Sequence, residues 1–316
     1  MINSLVLFLA AAVVSLLLTW PVIWLLRFFR IGQPVRSDIP PGHQAKAGTP
    51  TMGGIGFVIT IIALSLILID LDLKPVYLAL ILLILGYALI GLADDLIKVV
   101  GRRNLGLTFW QKIILQTLAA GAFAGYLAFS GHNLGVSGWL GKLGFAEPLF
   151  YQLLVIFFVV GFANATNLTD GLNGLLSGTA AIAFLCLAFL ATRSGLNECS
   201  IYALICAGAV SAFLQFNFPR AQVFMGDIGS LALGAGLAGL AVIMHKELRL
   251  VIIGGVFVIE ALSVIIQVTS YKLFKRRVFP MTPLHHSFEL AGMKEPVVVT
   301  GFWVVGLVLG VVGLWI

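Results

Sequence analysis

The sequence predicts an all-α membrane protein that crosses the bilayer about ten times. Of its 316 residues, 60% are hydrophobic and only 10% are charged, and the mean hydropathy is +1.08. A soluble domain of this composition would have too little polar surface to cover its core. Apolar stretches of about twenty residues, the length of a membrane-spanning helix, recur along the whole chain. Because they are apolar throughout rather than alternating, they indicate helices and not barrel strands.

Ten segments are apolar enough to be candidate spans. They are 3–27, 51–69, 75–93, 110–130, 149–166, 175–193, 200–217, 230–246, 250–273 and 299–316. We interpret the first as a retained span rather than a signal peptide, because Arg27 and Arg30 follow its apolar stretch instead of preceding it. No soluble domain or internal repeat interrupts the series, so we expect residues 1–316 to form a single membrane domain.

The basic residues indicate an orientation. If the amino terminus lies outside, 14 of the 19 Lys and Arg residues fall into one set of loops and 5 into the other. The positive-inside rule then predicts that the richer set is cytoplasmic and that both termini lie outside. The polar clusters described below all open onto the cytoplasmic side, where we expect the active site. The same rule accounts for the net charge of +6, and we expect no nucleic-acid partner because no basic-aromatic module is present.

Carboxylates stand at the ends of long apolar segments, where a charge near the bilayer is costly and indicates a working site. Two of them, Asp94 and Asp95, are adjacent in GLADDLIK. On a helix they point about 100° apart, so one should face the reacting groups while a neighbouring base or amide holds the other. Mutual repulsion makes one easier to protonate, which suits a proton acceptor. Helix-end acids balanced by Lys98, Arg102 and Arg103 are the simpler alternative.

The segment NATNLTDGLNG carries a polar residue at every third position. These residues are Asn164, Asn167, Asp170 and Asn173. This spacing keeps successive side chains on neighbouring parts of a helix end, and Gly171 and Gly174 allow close approach of a ligand or of backbone. Four polar groups at this spacing favour a binding role over a packing role.

A short loop that contains Pro219 leads from Asn217 to Asp227 and includes Phe224, whose ring is a candidate platform for a base. Asp227 precedes a new helix, so it would either cap that helix or hold a divalent cation. A single Asp is enough for the second role, because Mg²⁺ usually takes one or two carboxylates together with substrate phosphates.

Two further loops carry candidate residues. The first is rich in Pro and Gly and enters a helix near Thr51. Lys46 in this loop is placed to reach an anion at the helix start, although an ordinary positive-inside lysine is an equal alternative. In the last loop, His285 and His286 are candidates to bind phosphate or relay a proton, and their spacing argues against zinc.

Two polar residues lie within the ninth predicted span. Glu260 and Gln267 are seven residues apart and therefore share one helix face. We expect that face to turn toward protein or a lipid-headgroup path rather than toward acyl chains.

Five motifs together are recognisable as those of one family. AGTPTMGG, GLADDLIK, NATNLTDGLNG, FMGDIGS and MTPLHH occur in the family's order. Over essentially its full length the chain resembles the bacterial phospho-N-acetylmuramoyl-pentapeptide transferases, which belong to the polyprenyl-phosphate N-acetylhexosamine-1-phosphate transferase superfamily. The first and last motifs separate this family from its sugar-transferring relatives.

The resemblance implies a Mg²⁺-dependent enzyme of the bacterial plasma membrane. It would transfer phospho-MurNAc-pentapeptide from UDP-MurNAc-pentapeptide to undecaprenyl phosphate, giving lipid I and UMP, and it would act as a homodimer. Asp227 would be the magnesium ligand, Asp94 and Asp95 the essential acid pair, and His286 a further catalytic residue. The substrate contacts would be Lys46, Thr51, Asn167, Asp170, Asn173, Asn217, Phe224 and His285.

Two residues depart from the family's pattern. The family usually has Asp where this chain has Asn173, near the expected uracil pocket, and a third His where it has Ser287. Asn173 can still donate and accept hydrogen bonds, whereas Ser287 lacks a group that titrates near neutral pH.

The chemistry leaves several alternatives open. Of the acid pair we favour Asp94 as a general base, but the lipid phosphate is already ionised at neutral pH, so direct attack without proton removal stays open. Transfer of GlcNAc-1-phosphate to the same lipid is an alternative activity. A transporter is the rival class, against which stand the one-sided polar clusters and the lack of an inverted repeat.

Overall fold

The computed structural model describes residues 3–29, 31–32, 48–70, 75–101, 105–132 and 148–316. These ranges contain twelve helices and no strand, which confirms the all-α prediction. The helices are α1 Ser4–Phe28, α2 Gly54–Leu68, α3 Val76–Val100, α4 Phe109–Phe129, α5 Pro148–Thr169, α6 Leu175–Arg193, α7 Asn197–Asn217, α8 Gly226–Ile243, α9 Glu247–Ile253, α10 Gly255–Phe274, α11 Leu284–Leu290 and α12 Glu295–Trp315.

Nine of the described helices are long and apolar enough to cross a membrane, namely all except α2, α9 and α11. The second predicted span, 51–69, corresponds to α2, which has 15 residues and begins only at Gly54. Its helix is shorter than the sequence predicts because the preceding residues pair with another segment. Gly53 and Gly54 donate their N–H groups to Phe224 O and Met225 O, both at 2.9 Å.

The ninth predicted span, 250–273, is divided in the structure. α9 ends at Ile253 and α10 begins at Gly255, with Gly254 between them. Glycine is the weakest helix former after proline, and two adjacent glycines favour such a break. The two helices also have different partners, since α9 packs mainly on α12 and α10 on α5. Tertiary packing therefore changes the direction of the chain where hydropathy alone predicts one rod.

The core is built around α8, which is buried along nearly its whole length. This helix packs most extensively on α3 and α5 and also contacts α2. Its glycines lie where neighbouring helices approach: Gly229 faces Gly54, Gly234 faces Phe162, and any added methyl group would overlap them. Small residues at helix interfaces in membranes allow backbones to come this close. α8 is therefore held by close van der Waals packing on several sides.

The closest contact between α3 and α8 lies at Gly91. A β-carbon at this position would overlap the carbonyl group of Asp227 and the amide nitrogen of Ile228. The carboxyl-terminal turns of α3 therefore lie directly against the first turn of α8. This contact brings the polar end of each helix to the same place.

We predict that Gly91→Ala destabilises the protein by about 1–3 kcal/mol, the usual cost of overpacking a close interface. The overlapping atoms belong to the backbone, so α3 and α8 must move apart to admit the methyl group. Unfolding of the purified protein by SDS, followed by circular dichroism, measures the change in the free energy of unfolding.

The matched control is Gly125→Ala in α4. A β-carbon at Gly125 meets no other atom within 4 Å, and Ala favours a helix over Gly. Equal stability of the Gly91→Ala variant and this control would show that the α3–α8 contact is not as close as described.

Candidate active site

Three carboxylates converge where α3 meets α8. Asp94 and Asp95 lie in the last two turns of α3, and Asp227 lies in the first turn of α8. One oxygen of each carboxylate lies within 4.8 Å of the others. Asp94 and Asp95 are each only 1% exposed, whereas the side chain of Asp227 is 14% exposed. The cluster therefore has one open side, next to Asp227.

Two lysines neutralise most of this negative charge. Lys98 Nζ lies 2.5 Å from Asp94 Oδ2 and 3.1 Å from Asp227 Oδ2. Lys112 Nζ, which comes from α4, lies 2.7 Å from Asp227 Oδ2 and 3.4 Å from Asp94 Oδ2. Three acids and two ammonium groups leave an excess of one formal negative charge. The cluster is thus equipped to attract a cation and, through its lysines, a phosphate.

Each carboxylate is also fixed by neutral donors. The Leu107 N–H group donates to Asp94 Oδ1 at 2.9 Å, and the Ile228 N–H group donates to Asp95 Oδ2 at 3.2 Å. Asp95 Oδ1 accepts no hydrogen bond from any residue that the structure describes, and Lys98 Nζ lies 3.9 Å from it. Asp94 and Asp95 thus have different environments, as their directions on a helix predict.

Asp227 does not cap α8. The helix starts at Gly226, and its N-cap residue Met225 makes no side-chain cap bond. The Asp227 carboxylate instead accepts hydrogen bonds from Asn167 Nδ2 at 2.8 Å and from the two lysines. The capping alternative is therefore wrong, because the side chain turns toward α3, α4 and α5 and away from its own helix.

The end of α5 supplies the next polar residues. Asn167 Nδ2 bridges Asp227 Oδ1 and Ser230 Oγ, the latter at 2.9 Å. Asp170 follows in the turn after α5, where its N–H group donates to Asn167 O at 3.3 Å. Both side chains are half-buried. The structure thus brings Asn167 into the acid cluster, and Asp170 lies three residues later in the turn that follows α5.

His285 is buried completely at the start of α11. Its ring atom Nδ1 lies 3.3 Å from Glu260 Oε2, and its backbone N–H group donates to Glu260 Oε1 at 3.2 Å. The ring packs against Gly171, where a β-carbon would overlap Nε2. In this conformation His285 supports the segment after α5 and has no surface for a substrate, although the sequence analysis predicts a substrate contact.

Glu260 and Gln267 do turn toward protein, as their common helix face predicts. Gln267 Oε1 accepts hydrogen bonds from the N–H groups of Val278 and Phe279 at 2.9 and 3.0 Å. Its Nε2 donates to Phe279 O at 2.9 Å. α10 therefore fastens both ends of the loop that leads to His285.

His286 and Ser287 follow His285 in α11, and both are half-buried. His286 Nδ1 lies 2.8 Å from Glu289 Oε2, and its side chain is 23% exposed. Ser287 Oγ donates to Met281 O at 2.5 Å and accepts from Met281 N–H at 3.2 Å. Ser287, which the sequence analysis identifies as a departure from the resembled family, thus closes a turn, and His286 is the accessible member of the histidine pair.

A second polar group surrounds Asn217 at the end of α7. Asn217 Oδ1 accepts from Gly174 N–H at 2.7 Å, and Nδ2 donates to Val223 O at 3.0 Å. Asn217 therefore links the turn after α5 to the 218–225 loop, and it is buried. Asn173 lies on the same turn, where its N–H group donates to Glu295 Oε1 at 2.8 Å.

The remaining predicted contacts lie near the start of α2. Thr51 is buried, and its Oγ1 has no hydrogen-bond partner among the described residues. Phe224 is half-buried, and its N–H group donates to Pro50 O at 2.8 Å. Lys46 lies outside the described residues, so its predicted role stays a prediction.

The sequence analysis missed two residues of the cluster. Lys112 is only counted there, unnamed, among the 14 basic residues of the cytoplasmic set, and Lys98 is named only as a charge that balances the pair Asp94 and Asp95. The spacing of Lys98, four residues after Asp94 on one helix, was an available signal. Lys112 had a weaker one, a basic residue in the first turn of an apolar helix. Its pairing with Asp227 spans 115 residues of chain.

Comparison with known proteins gives the same family as the motifs. A family model described as glycosyl transferase family 4 matches residues 77–245, which include the three carboxylates and both lysines. A phospho-N-acetylmuramoyl-pentapeptide-transferase from Bacillus licheniformis is 47% identical, over 96% of this chain and 94% of that protein. A protein of the same name from Bacillus subtilis is 45% identical, over 100% of this chain and 99% of that protein. Another from Geobacillus kaustophilus is 49% identical, over 92% of this chain and 90% of that protein.

This similarity covers 90% or more of each of these relatives, and the residues of the acid cluster lie inside the region that the family model matches. The chain therefore belongs to the phospho-N-acetylmuramoyl-pentapeptide transferases of glycosyl transferase family 4.

Proposed function

We propose that this protein transfers phospho-MurNAc-pentapeptide from UDP-MurNAc-pentapeptide to undecaprenyl phosphate, which forms lipid I for peptidoglycan synthesis. An oxygen of the lipid phosphate attacks the β-phosphorus of the nucleotide sugar. A new P–O–P bond forms to the lipid phosphate, the bond between the two phosphates of UDP breaks, and UMP leaves with the electron pair.

The observation that carries this proposal is the meeting of three acids and two lysines at one open site. The reaction brings a lipid phosphate against a pyrophosphate, so several negative charges have to be neutralised in the transition state. Catalysis then depends mainly on positioned cations. Lys98 and Lys112 are both partly accessible, with side chains 23% and 17% exposed.

The acid cluster fits a divalent cation. Its ligand atoms are carboxylate oxygens, which hard cations such as Mg²⁺ prefer, and the buried Asp95 Oδ1 has no hydrogen-bond donor among the described residues. We propose Asp227 as the principal ligand because it lies on the open side of the cluster. When bound, Mg²⁺ would supply charge neutralisation on the pyrophosphate.

The residues of the chain have distinct proposed roles. In the structure Lys98 and Lys112 both bind Asp227, and in the reaction they would also neutralise the incoming phosphates. Asp94 contacts both lysines and accepts a hydrogen bond from Leu107 N–H, so it orients the two ammonium groups. This arrangement supports direct attack by the already ionised lipid phosphate, and Asp94 is the proposed acceptor if a proton must leave.

The resemblance supplies the remaining parts of the proposal. The chain acts as one membrane domain, as a homodimer, with its active site on the cytoplasmic face of the plasma membrane. His286 acts in catalysis, and the substrate is contacted by Asn167, Asp170, Asn173 and Phe224, with Thr51 and Asn217 behind them. The buried positions of Thr51, Asn217 and His285 support a role in shaping the pocket.

The activity is tested by release of UMP from purified protein in detergent. With undecaprenyl phosphate and Mg²⁺, we expect UDP-MurNAc-pentapeptide to release UMP and UDP-GlcNAc to release none. Asp227→Asn should abolish release while the protein keeps its helix content, because a neutral amide is a poor ligand for a hard cation.

Release from UDP-GlcNAc alone would support the alternative activity, and release from neither donor would contradict a transferase. Activity of Asp227→Asn near the wild-type level at the same Mg²⁺ concentration would remove Asp227 from the metal site.

Lys112→Met should lower kcat by about 10²–10³-fold, the usual effect of removing one group that stabilises transition-state charge. Methionine has a similar length and no charge. The matched control is Lys272→Met, because Lys272 is exposed at the end of α10 and far along the chain from the cluster. Equal activity of both variants would contradict the role of Lys112.

The proposed orientation predicts a labelling pattern with a membrane-impermeant maleimide. The three native cysteines are all buried, so they give little background. In spheroplasts Ser194→Cys should react, because the loop between α6 and α7 lies outside. Arg277→Cys should react only after lysis, and the reverse pattern would show that the cytoplasmic assignment is wrong.

A further inference from the structure

A buried glutamine lies one helical turn from the acid cluster. Gln116 of α4 is 0% exposed. Its side-chain Oε1 accepts a hydrogen bond from Asn164 Nδ2 of α5 at 2.6 Å, and its backbone carbonyl accepts one from Tyr87 Oη of α3 at 3.0 Å. Gln116 therefore joins three of the four helices that supply the site.

The same helix faces carry the residues that bind Asp227. Lys112 lies four residues before Gln116 on α4, and Asn167 lies three residues after Asn164 on α5. At these spacings each pair shares one side of its helix. Lys112 donates to Asp227 Oδ2 at 2.7 Å, and Asn167 donates to Asp227 Oδ1 at 2.8 Å. The four residues thus form two adjacent rungs between α4 and α5.

Packing alone does not explain an amide at this position. A polar group inside a membrane domain is costly unless it is fully hydrogen-bonded. Gln116 Nε2 is buried and has no hydrogen-bond partner among the described residues. Apolar side chains at both Gln116 and Asn164 would avoid that cost, because replacing both partners of a buried hydrogen bond by apolar groups of the same shape can be nearly neutral or stabilising.

We propose that Gln116 is a positioning residue for the transfer reaction. Its bond to Asn164 fixes the register of α4 against α5, and this register aims Lys112 and Asn167 at opposite oxygens of Asp227. The predicted effect of Gln116 on the transfer rate rests on the proposed function. Its predicted effect on the position of Lys112 rests on the geometry alone.

The kinetic test is a double-mutant cycle between Gln116→Met and Lys112→Met. Gln116→Met alone should lower kcat by about 10-fold to 100-fold, because misplacement of a catalytic group by about 1 Å has an effect of this size. The Michaelis constant for the nucleotide sugar should change little. In the Lys112→Met background the same substitution should cost little further activity, because the group that it positions is absent.

An equal loss of kcat in both backgrounds would overturn the proposal and leave Gln116 with a general packing role. Unchanged kcat in the Gln116→Met single variant would overturn it too. The control is Ser15→Ala, which removes a buried bond between α1 and α7, from Ser15 Oγ to Ala209 O at 2.9 Å. We expect Ser15→Ala to affect stability and not kcat.

A second measurement does not depend on activity. Lysines of the folded protein are acetylated under limiting reagent, and the modification of Lys112 is measured by mass spectrometry relative to that of Lys98, which lies on α3. Gln116→Met should raise the ratio because α4 is released from α5, whereas Ser15→Ala should not. An unchanged ratio would contradict the positioning role, and absence of wild-type UMP release would count only against the proposed function.

Discussion

The backbone contact between α3 and α8 at Gly91 determines where the charges of the site lie. Because no side chain separates the two helices there, Asp94 and Asp95 come within reach of Asp227 from a helix more than a hundred residues later in the chain. The glycines of α8 repeat this arrangement against its other neighbours. The acid cluster is thus a product of helix packing, and its precision depends on residues that have no functional groups.

Electrostatics then determine how such a cluster persists beside a bilayer. Removing one partner from a buried ion pair leaves an uncompensated charge, which is far more costly than losing an exposed pair. Here Asp94 and Asp227 each have two kinds of partner, a lysine and a fixed N–H or amide group, whereas Asp95 has the Ile228 N–H group and a lysine 3.9 Å away. This redundancy allows the lysines to be shared with a substrate, because the amide and backbone donors keep the carboxylates in place.

The sequence was sufficient for the fold class because apolar stretches of this length have few possible structures in lipid. It was also sufficient to bring Asp94, Asp95, Asn167 and Asp227 into one hypothesis, because polar residues at such positions are costly and their types suit phosphate chemistry. The family resemblance then supplied roles that composition alone does not contain.

Contacts between distant segments were the part that sequence could not supply. In the sequence Lys112 looks like any positive-inside lysine, and its role appears only when α4 packs on α3. The bonds of the Asn217 amide to Gly174 and Val223 likewise join segments that are distant in the chain. The break at Gly254 has the same cause, because hydropathy does not show which neighbour each part of a helix packs on. In each case the decisive term is tertiary packing, which has no local signature.

The shortness of α2 has a consequence for the depth of the reaction. Fifteen residues make a helix of about 22 Å, whereas the hydrocarbon core of a bilayer is about 30 Å thick, so one end of α2 has to stop inside it. The amino-terminal end of α2, beside Asp227, is suited to this because the N–H groups of Gly53 and Gly54 donate to the backbone carbonyls of Phe224 and Met225. If this is the end that stops inside the bilayer, the acid cluster would lie below the membrane surface. On the proposed function, a lipid-borne phosphate would then meet the cluster without leaving its leaflet, and the water-soluble donor would have to descend.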